Sequence, residues 1–245
     1  MTETTHNRRL RAALIDMDGT LYDSMPSHAR AWQRTMHEIG IDLPYDEFFL
    51  YEGMRGADTI DMLIRHHLRR IPSEAELTAT YALKAKYFAE MPPVGPIPGA
   101  RQLIESLRRR GIVTVLVTGS GQASLLGRLE QDYPGAFPEE RRVTSASVLR
   151  GKPEPDPYLY GLKLAGCGPL EAFAIDNAPL GTRSGAAAGI LTVGVTTGPI
   201  DRRILADNGA NIVYNSMEEC AKMLPDLLDM IEAVAANGAD KADIK

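Results

Sequence analysis

The sequence predicts an α/β protein in which a doubly wound parallel sheet carries a small inserted unit made only of helices. From residue 99 onward, short apolar runs alternate with helical patterns. The run at 112–117 is almost entirely apolar, as in a strand that is covered on both faces. Residues 23–91, in contrast, show helical periods and no strand pattern. Because repeated strand and helix units favour a parallel sheet, we interpret the helical stretch as an insertion.

The inserted unit is predicted to contain three helices. The first begins at Ser24, a typical capping residue, and reaches Gly40. The second covers 57–70, where apolar residues recur on one face. The third begins at a capping box that starts at Ser73.

A stretch rich in proline and glycine, 92–99, is interpreted as the linker that returns to the sheet. We therefore predict a core domain of residues 1–22 and 95–245 and a helical cap domain of residues 23–94. Because two linkers join the domains, they form a hinge, and a lid that moves over a site is a common use of a hinge.

The core domain shows the α/β alternation directly. The predicted elements after a first strand at 11–15 are, in order, a helix at 100–110, a strand at 112–117, a strand at Val143, a helix at 157–165, and strands at 172–175, 191–195 and 211–213.

The composition is that of an ordinary soluble globular protein. The chain has 245 residues, a formal net charge of −5, 44% hydrophobic and 24% charged residues. Because it is not basic, we expect no nucleic-acid partner. No stretch approaches 18 apolar residues, so we expect no membrane partner. As a separate expectation, the protein is a monomer. Cys167 and Cys220 lack metal-ligand spacing, and a reducing cytoplasm is the expected location.

Two carboxylates follow the first predicted strand, in the string Asp16-Met17-Asp18-Gly19-Thr20. Carboxylates two residues apart point to the same side of an extended chain, so they can meet one ligand together. The carboxyl end of a strand in an open α/β sheet is where ligands bind. Hard oxygen ligands of this kind suit Mg²⁺, which usually bridges to phosphate.

Three further strings lie at or near the ends of later predicted elements. Thr118-Gly119-Ser120-Gly121-Gln122 offers a hydroxyl and amides to an anion at the start of a helix. Lys152 lies in a proline-rich loop, where rigid backbone restricts its movement. Asp176 and Asn177 end the apolar run at 173–175.

The four strings, in this order, resemble the motifs of the haloacid dehalogenase superfamily, and the resemblance covers roughly 12–224. It implies that Asp16 is the nucleophile and Asp18 the acid and base. It also implies that Thr118, the Gly119 amide and Lys152 hold the phosphoryl oxygens.

The resemblance implies Mg²⁺ as the cofactor, held by Asp16, the Asp18 carbonyl, Asp176 and Asn177. Related proteins usually carry a second carboxylate where this chain has Asn177. An amide oxygen brings no charge, so we expect Glu52 of the cap to supply the missing carboxylate.

The cap is similar to that of the β-phosphoglucomutase-like group. The string His28-Ala29-Arg30-Ala31-Trp32 and the loop that contains Glu52 and Arg55 carry this similarity. We predict His28, Glu52, Arg55, Lys84 and, from the core, Gln122 as substrate-binding residues.

The predicted activity is that of a Mg²⁺-dependent phosphohydrolase that forms an aspartyl-phosphate. The Glu52 loop with the second and fourth motifs is most similar to the inorganic pyrophosphatases of the superfamily. Inorganic pyrophosphate or a small phosphate ester is therefore the expected substrate. The alternative enzyme is a β-phosphoglucomutase, and the remote alternative is a binding module without catalysis.

Overall fold

A computed structural model describes residues 10–121 and 123–239. Within them, six parallel strands form one sheet in the order β3-β2-β1-β4-β5-β6. The α/β class and the parallel sheet are therefore confirmed. The strands are β1 Ala12–Ile15, β2 Val113–Val117, β3 Arg142–Val143, β4 Ala172–Asp176, β5 Leu191–Val195 and β6 Ile212–Tyr214.

The strand order places the motif residues at a topological switch point. β1 pairs with β2 on one side and with β4 on the other, and Ile15 lies opposite Leu116 and Ile175. Such a reversal of strand order opens a crevice at the carboxyl ends of the strands. Asp16 follows β1 directly and Asp176 ends β4, so the sheet brings them side by side.

The helices cover both faces of the sheet and build the cap. In the cap they are α1 Met25–Glu38, α2 Gly56–Leu63 and α3 Glu74–Ala89, with a 3₁₀ segment at Tyr45–Tyr51. In the core they are α4 Ala100–Arg109, α5 Ala123–Leu126, α6 Leu129–Asp132, α7 Asp156–Ala165, α8 Pro179–Ala187, α9 Arg202–Asp207 and α10 Met217–Ala239, with short 3₁₀ turns at Glu139–Arg141 and Pro169–Glu171.

The cap helices differ from the prediction in one boundary and in one capping contact. The second helix does not continue regularly to Arg70. After Leu63 it widens into a π-helical turn at Ile64–Leu68, and Arg69, with φ of 55°, ends it. Ser24 makes no side-chain cap to α1, because its hydroxyl donates to Asp18 instead. The cap at Ser73 forms as predicted and accepts the Glu76 N–H.

The two linkers between sheet and cap run side by side. The Asp23 N–H donates to the Gly95 carbonyl at 3.1 Å, and the Ile97 N–H donates to the Leu21 carbonyl at 2.9 Å. The Tyr133 hydroxyl also donates to the Leu21 carbonyl, at 2.6 Å. This pairing supports the proposed division into residues 1–22 and 95–245 and residues 23–94. In the described part of the chain, no helix has the length and apolarity needed to cross a membrane.

Candidate active site

The Asp16 carboxylate is buried beside the Lys152 ammonium. Lys152 Nζ lies 2.6 Å from Asp16 Oδ1 and 2.7 Å from Asp176 Oδ2, so one cation bridges two carboxylates. Burial raises the pKa of Asp16 to about 8, and the Lys152 charge offsets only part of that rise. Burial alone would lower the pKa of Lys152, but the two carboxylates raise it. The ammonium therefore stays charged next to the predicted nucleophile.

Asp176 is held by three donors. Its Oδ2 accepts from Lys152 and, at 2.6 Å, from the Tyr158 hydroxyl. Its Oδ1 accepts the Ala178 N–H at 3.0 Å. Both oxygens of this buried carboxylate are thus fixed by core residues.

The Asp18 carboxylate belongs to a second network, which reaches into the cap. Its Oδ1 accepts from Ser24 Oγ at 2.6 Å and lies 2.9 Å from His28 Nε2. Lys84 Nζ lies 2.6 Å from His28 Nδ1. An ammonium only donates, so Nδ1 accepts and Nε2 carries the proton that His28 donates to Asp18. Oδ2 of Asp18 remains the oxygen available for proton transfer.

The charges of this network follow from its burial. Burial alone would raise the pKa of Asp18, but His28, Ser24 and Lys84 hold it at about 2. Burial and the neighbouring Lys84 charge lower the pKa of His28. Burial lowers the pKa of Lys84 to about 7, against the attraction of Asp18. Lys84 Nζ also lies over the rings of Trp32 and Phe88, at 5.3 and 5.2 Å from their centroids.

Glu52 brings a cap carboxylate to the core. Its Oε1 accepts from Asn177 Nδ2 at 2.8 Å, and Asn177 Oδ1 accepts from Thr20 Oγ1 at 3.1 Å. Gly19, with φ of 75°, makes room for this contact, since a Cβ there would lie 2.0 Å from Asn177 Nδ2. Burial raises the pKa of Glu52 well above its usual range, and the charge of Asp16 adds to the rise.

The loop that follows Glu52 lies directly on the second motif. A Cβ at Gly119 would be 2.1 Å from the Gly53 carbonyl oxygen, so only glycine permits this approach. The cleft that remains offers about 50 Å³ to water-sized molecules, room for a few waters at about 10–15 Å³ each. Its lining combines Asp16, Asp18, Thr118, Gly119 and Ser120 with the cap residues Met25, His28, Trp32, Phe48, Tyr51, Glu52, Gly53, Met54, Gly56, Tyr81 and Lys84.

The donor set fits a hard divalent cation. Asp16, Asp176 and Glu52 supply carboxylate oxygens, and their combined charge exceeds that of Lys152. Burial is the main cause of the raised pKa values of Asp16 and Glu52, and the neighbouring carboxylates add to both; a cation would stabilise the charged forms. Within residues 10–121 and 123–239, no three Asp, Glu, His or Cys side chains form a group that could hold a metal ion. Such a site would therefore need the Asp18 carbonyl or the Asn177 amide oxygen as well.

Of the predicted site residues that the structure describes, Arg55 lies outside both the cleft and the two carboxylate networks. Arg55 pairs with Asp58 through two bonds of 2.7 Å and donates to the Val148 carbonyl at 3.3 Å. It therefore braces the cap against the core and does not line the cleft. Gln122 lies outside the described residues.

Three contributors to the site were missed in the sequence: Ser24, Thr20 and Tyr158. Ser24 and Thr20 stood inside or next to the first motif and could have been suspected from that position. Tyr158 gave no signal, because a tyrosine in the first turns of a helix is an ordinary apolar residue by pattern.

The sheet, the crevice and the two carboxylate networks define a capped α/β protein with buried carboxylates at the carboxyl ends of its strands. The sequence profile of the haloacid dehalogenase-like hydrolases matches residues 10–189, and the chain belongs to this family.

Among its relatives, Hexitol phosphatase A of Escherichia coli is 32% identical over 212 residues, which cover 86% of this chain and 93% of that protein. Validoxylamine A 7'-phosphate phosphatase of Streptomyces hygroscopicus is 29% identical over 199 residues, with 76% and 86% covered. A solved structure from Bacteroides vulgatus, provisionally named a beta-phosphoglucomutase, is 39% identical. It has a TM-score of 0.87 and covers 92% of this chain and 91% of its own.

Proposed function

We propose that the protein is a Mg²⁺-dependent phosphohydrolase that forms an aspartyl-phosphate on Asp16 and acts best on inorganic pyrophosphate. The family of hydrolases to which the chain belongs supports the reaction class. The main support for pyrophosphate as the substrate is the contact of Glu52 with Asn177. Through it, a carboxylate of the cap lies close enough to Asp16 for the two charges to interact.

The first half-reaction follows from the geometry of the two networks. A carboxylate oxygen of Asp16 attacks phosphorus, and the bond from phosphorus to the leaving oxygen breaks. The negative charge of a bound phosphoryl group opposes the low pKa of Asp18, so Asp18 can take up a proton from solvent and deliver it to the leaving oxygen from Oδ2, while Ser24 and His28 hold Oδ1. The Lys152 ammonium offsets part of the charge on the phosphoryl oxygens, and Thr118 and the Gly119 amide donate hydrogen bonds to them.

The second half-reaction returns the enzyme to its starting state. Asp18, now a carboxylate, takes a proton from water, and the water oxygen attacks the phosphorus of the aspartyl-phosphate. Orthophosphate leaves and the Asp16 carboxylate is regenerated. Mg²⁺ bound to Asp16, the Asp18 carbonyl, Asp176, Asn177 and Glu52 would supply positive charge for the phosphoryl oxygens.

The closed cleft supports a small, highly charged substrate. Lys84 and Gly119 both line the narrow cavity. Pyrophosphate has no sugar ring to house, and both of its phosphate groups need cationic or N–H donors. A cap that closes over it excludes water without a large apolar pocket.

Two other activities are favoured by a specific relative. The similarity to Hexitol phosphatase A favours hydrolysis of a polyol or sugar phosphate. The similarity to the Bacteroides vulgatus structure favours a phosphomutase, in which the aspartyl-phosphate is kept from water. A non-catalytic module would have no use for the intact pairing of Asp16 with Lys152 and of Asp18 with His28.

The test is a steady-state comparison on one preparation with Mg²⁺. The substrates are pyrophosphate, a hexitol 6-phosphate and β-glucose 1-phosphate. The assay measures the release of phosphate and the formation of glucose 6-phosphate. We expect the highest kcat/KM with pyrophosphate. A higher value with the hexitol ester, or interconversion of glucose phosphates without hydrolysis of pyrophosphate, would replace this proposal with the corresponding alternative.

Glu52→Gln tests the role of the Glu52 carboxylate, on which the proposed substrate depends. The amide keeps an oxygen for Asn177 but removes the charge, so we expect the half-saturating Mg²⁺ concentration to rise about 10-fold or more. The matched control is Glu47→Gln, since Glu47 lies on the neighbouring 3₁₀ segment and bonds Tyr51 instead. Equal Mg²⁺ dependence of the two variants would remove Glu52 from the proposed site.

A further inference from the structure

Tyr158 is a fully buried tyrosine whose hydroxyl is directed at the active site. It lies in α7, the helix that follows the Lys152 loop, and its ring packs in a core cluster with Leu14 and Val117. Its hydroxyl donates to Asp176 Oδ2 at 2.6 Å. A hydrogen bond of this length to a carboxylate is among the stronger kind in proteins. The buried hydroxyl therefore has a specific partner, and that partner belongs to the site.

The same carboxylate oxygen has a second donor, which has another task. Lys152 Nζ donates to Asp176 Oδ2 at 2.7 Å and to Asp16 Oδ1 at 2.6 Å. In the proposed reaction Lys152 also binds the phosphoryl oxygens, so its ammonium is shared between the substrate and the two carboxylates. The Tyr158 hydroxyl is anchored by its buried ring and has no such second task.

We propose that Tyr158 is a positioning residue that holds Asp176 Oδ2, so that the carboxylate keeps its orientation toward the cation when Lys152 engages the phosphoryl group. The inference deepens the proposed function, because it rests on Asp176 being a ligand of Mg²⁺. A phenol suits the task since it donates without charge and does not compete with the cation. The Ala178 N–H, on Oδ1, completes the fixation.

The test is Mg²⁺ binding to the full chain by titration calorimetry without substrate. Tyr158→Phe keeps the ring that fills the core and removes only the hydroxyl. Partners of metal ligands typically change metal affinity about 10- to 100-fold, and we expect the Kd for Mg²⁺ to rise about 10-fold. At saturating Mg²⁺ we expect kcat to recover most of its loss.

Tyr160→Phe is the matched control on the same helix, because residues two apart on a helix do not face the same side and the Tyr160 ring lies beside Lys163, 5.9 Å from Nζ to the ring centroid. We expect this variant to bind Mg²⁺ as the unaltered protein does. Thermal unfolding of both variants is measured alongside. A lower Tm of Tyr158→Phe with an unchanged Kd would mean a purely structural tyrosine and would overturn the inference.

A second measurement does not depend on the Phe variant. With 3-fluorotyrosine placed at position 158, we expect the ¹⁹F resonance to shift when Mg²⁺ is added, and an unmoved resonance would overturn the inference. The two proposals fail separately. If the unaltered protein does not bind Mg²⁺, the proposed function falls, whereas equal binding by Tyr158→Phe defeats only the role of Tyr158.

Discussion

The two halves of the site are built in different ways. The half around Asp16 takes its partners Lys152, Asp176 and Tyr158 from the core alone. The half around Asp18 takes His28 and Lys84 from the cap. Apart from the Glu52 carboxylate, the first half can therefore be assembled without the cap, while the second is complete only when the cap lies on the core. Nucleophilic attack and proton transfer are thus expected to respond differently to changes in the cap.

The largest effect is expected from Asp16→Asn. The change removes the nucleophilic oxygen and hardly alters volume, so turnover should fall on the order of 10³-fold or more while the fold persists. Phosphate release is measured with circular dichroism as the check on folding. Activity well above a trace would contradict the covalent route.

Asp18→Asn should impair proton transfer but not nucleophilic attack, so its effect should depend on the leaving group. Loss of a general acid costs about 10²- to 10⁴-fold where the leaving oxygen needs a proton. A nitrophenyl ester needs little protonation, so it should still form some aspartyl-phosphate, which rapid acid quench detects. Equal losses with nitrophenyl and alkyl esters would show that Asp18 is not the acid.

Lys84→Met should change the pH dependence of the half that includes the cap. Burial lowers the pKa of Lys84 to about 7, so its ammonium is present below that pH and is lost above it. Because the ammonium supports His28 and attracts the anion, kcat/KM should fall as pH rises through about 7. In the variant, kcat/KM should no longer fall as the pH rises through about 7. At low pH its activity should be about 10-fold lower than that of the unaltered protein. Identical profiles of the two proteins would contradict the assignment.

Arg55→Ala should have the smallest effect. Arg55 pairs with Asp58 and the Val148 carbonyl outside the cleft, so its loss weakens the seating of the cap without removing a substrate contact. We expect kcat/KM to fall only a few-fold. A loss as large as that of Lys84→Met would restore Arg55 as a substrate-binding residue.

The residues whose positions are fixed by the sheet could be predicted from the sequence, and those whose contacts depend on packing could not. Asp16, Asp18, Lys152 and Asp176 could be predicted because each follows a strand or lies in a rigid loop, and the sheet fixes where such positions meet. Arg55 could not be placed, since its choice of Asp58 depends on how α2 packs against the core. Tyr158 was missed because only the completed core shows that its hydroxyl faces Asp176.

The division of labour is tested most directly by single-turnover formation of the aspartyl-phosphate in two variants. Thr118→Val alters the core half and His28→Leu alters the half that depends on the cap. Each is measured with a nitrophenyl ester and with an alkyl ester. We expect Thr118→Val to slow both esters by similar factors and His28→Leu to slow the alkyl ester at least about 10-fold more than the nitrophenyl ester. The same ratio of losses in both variants would contradict the account.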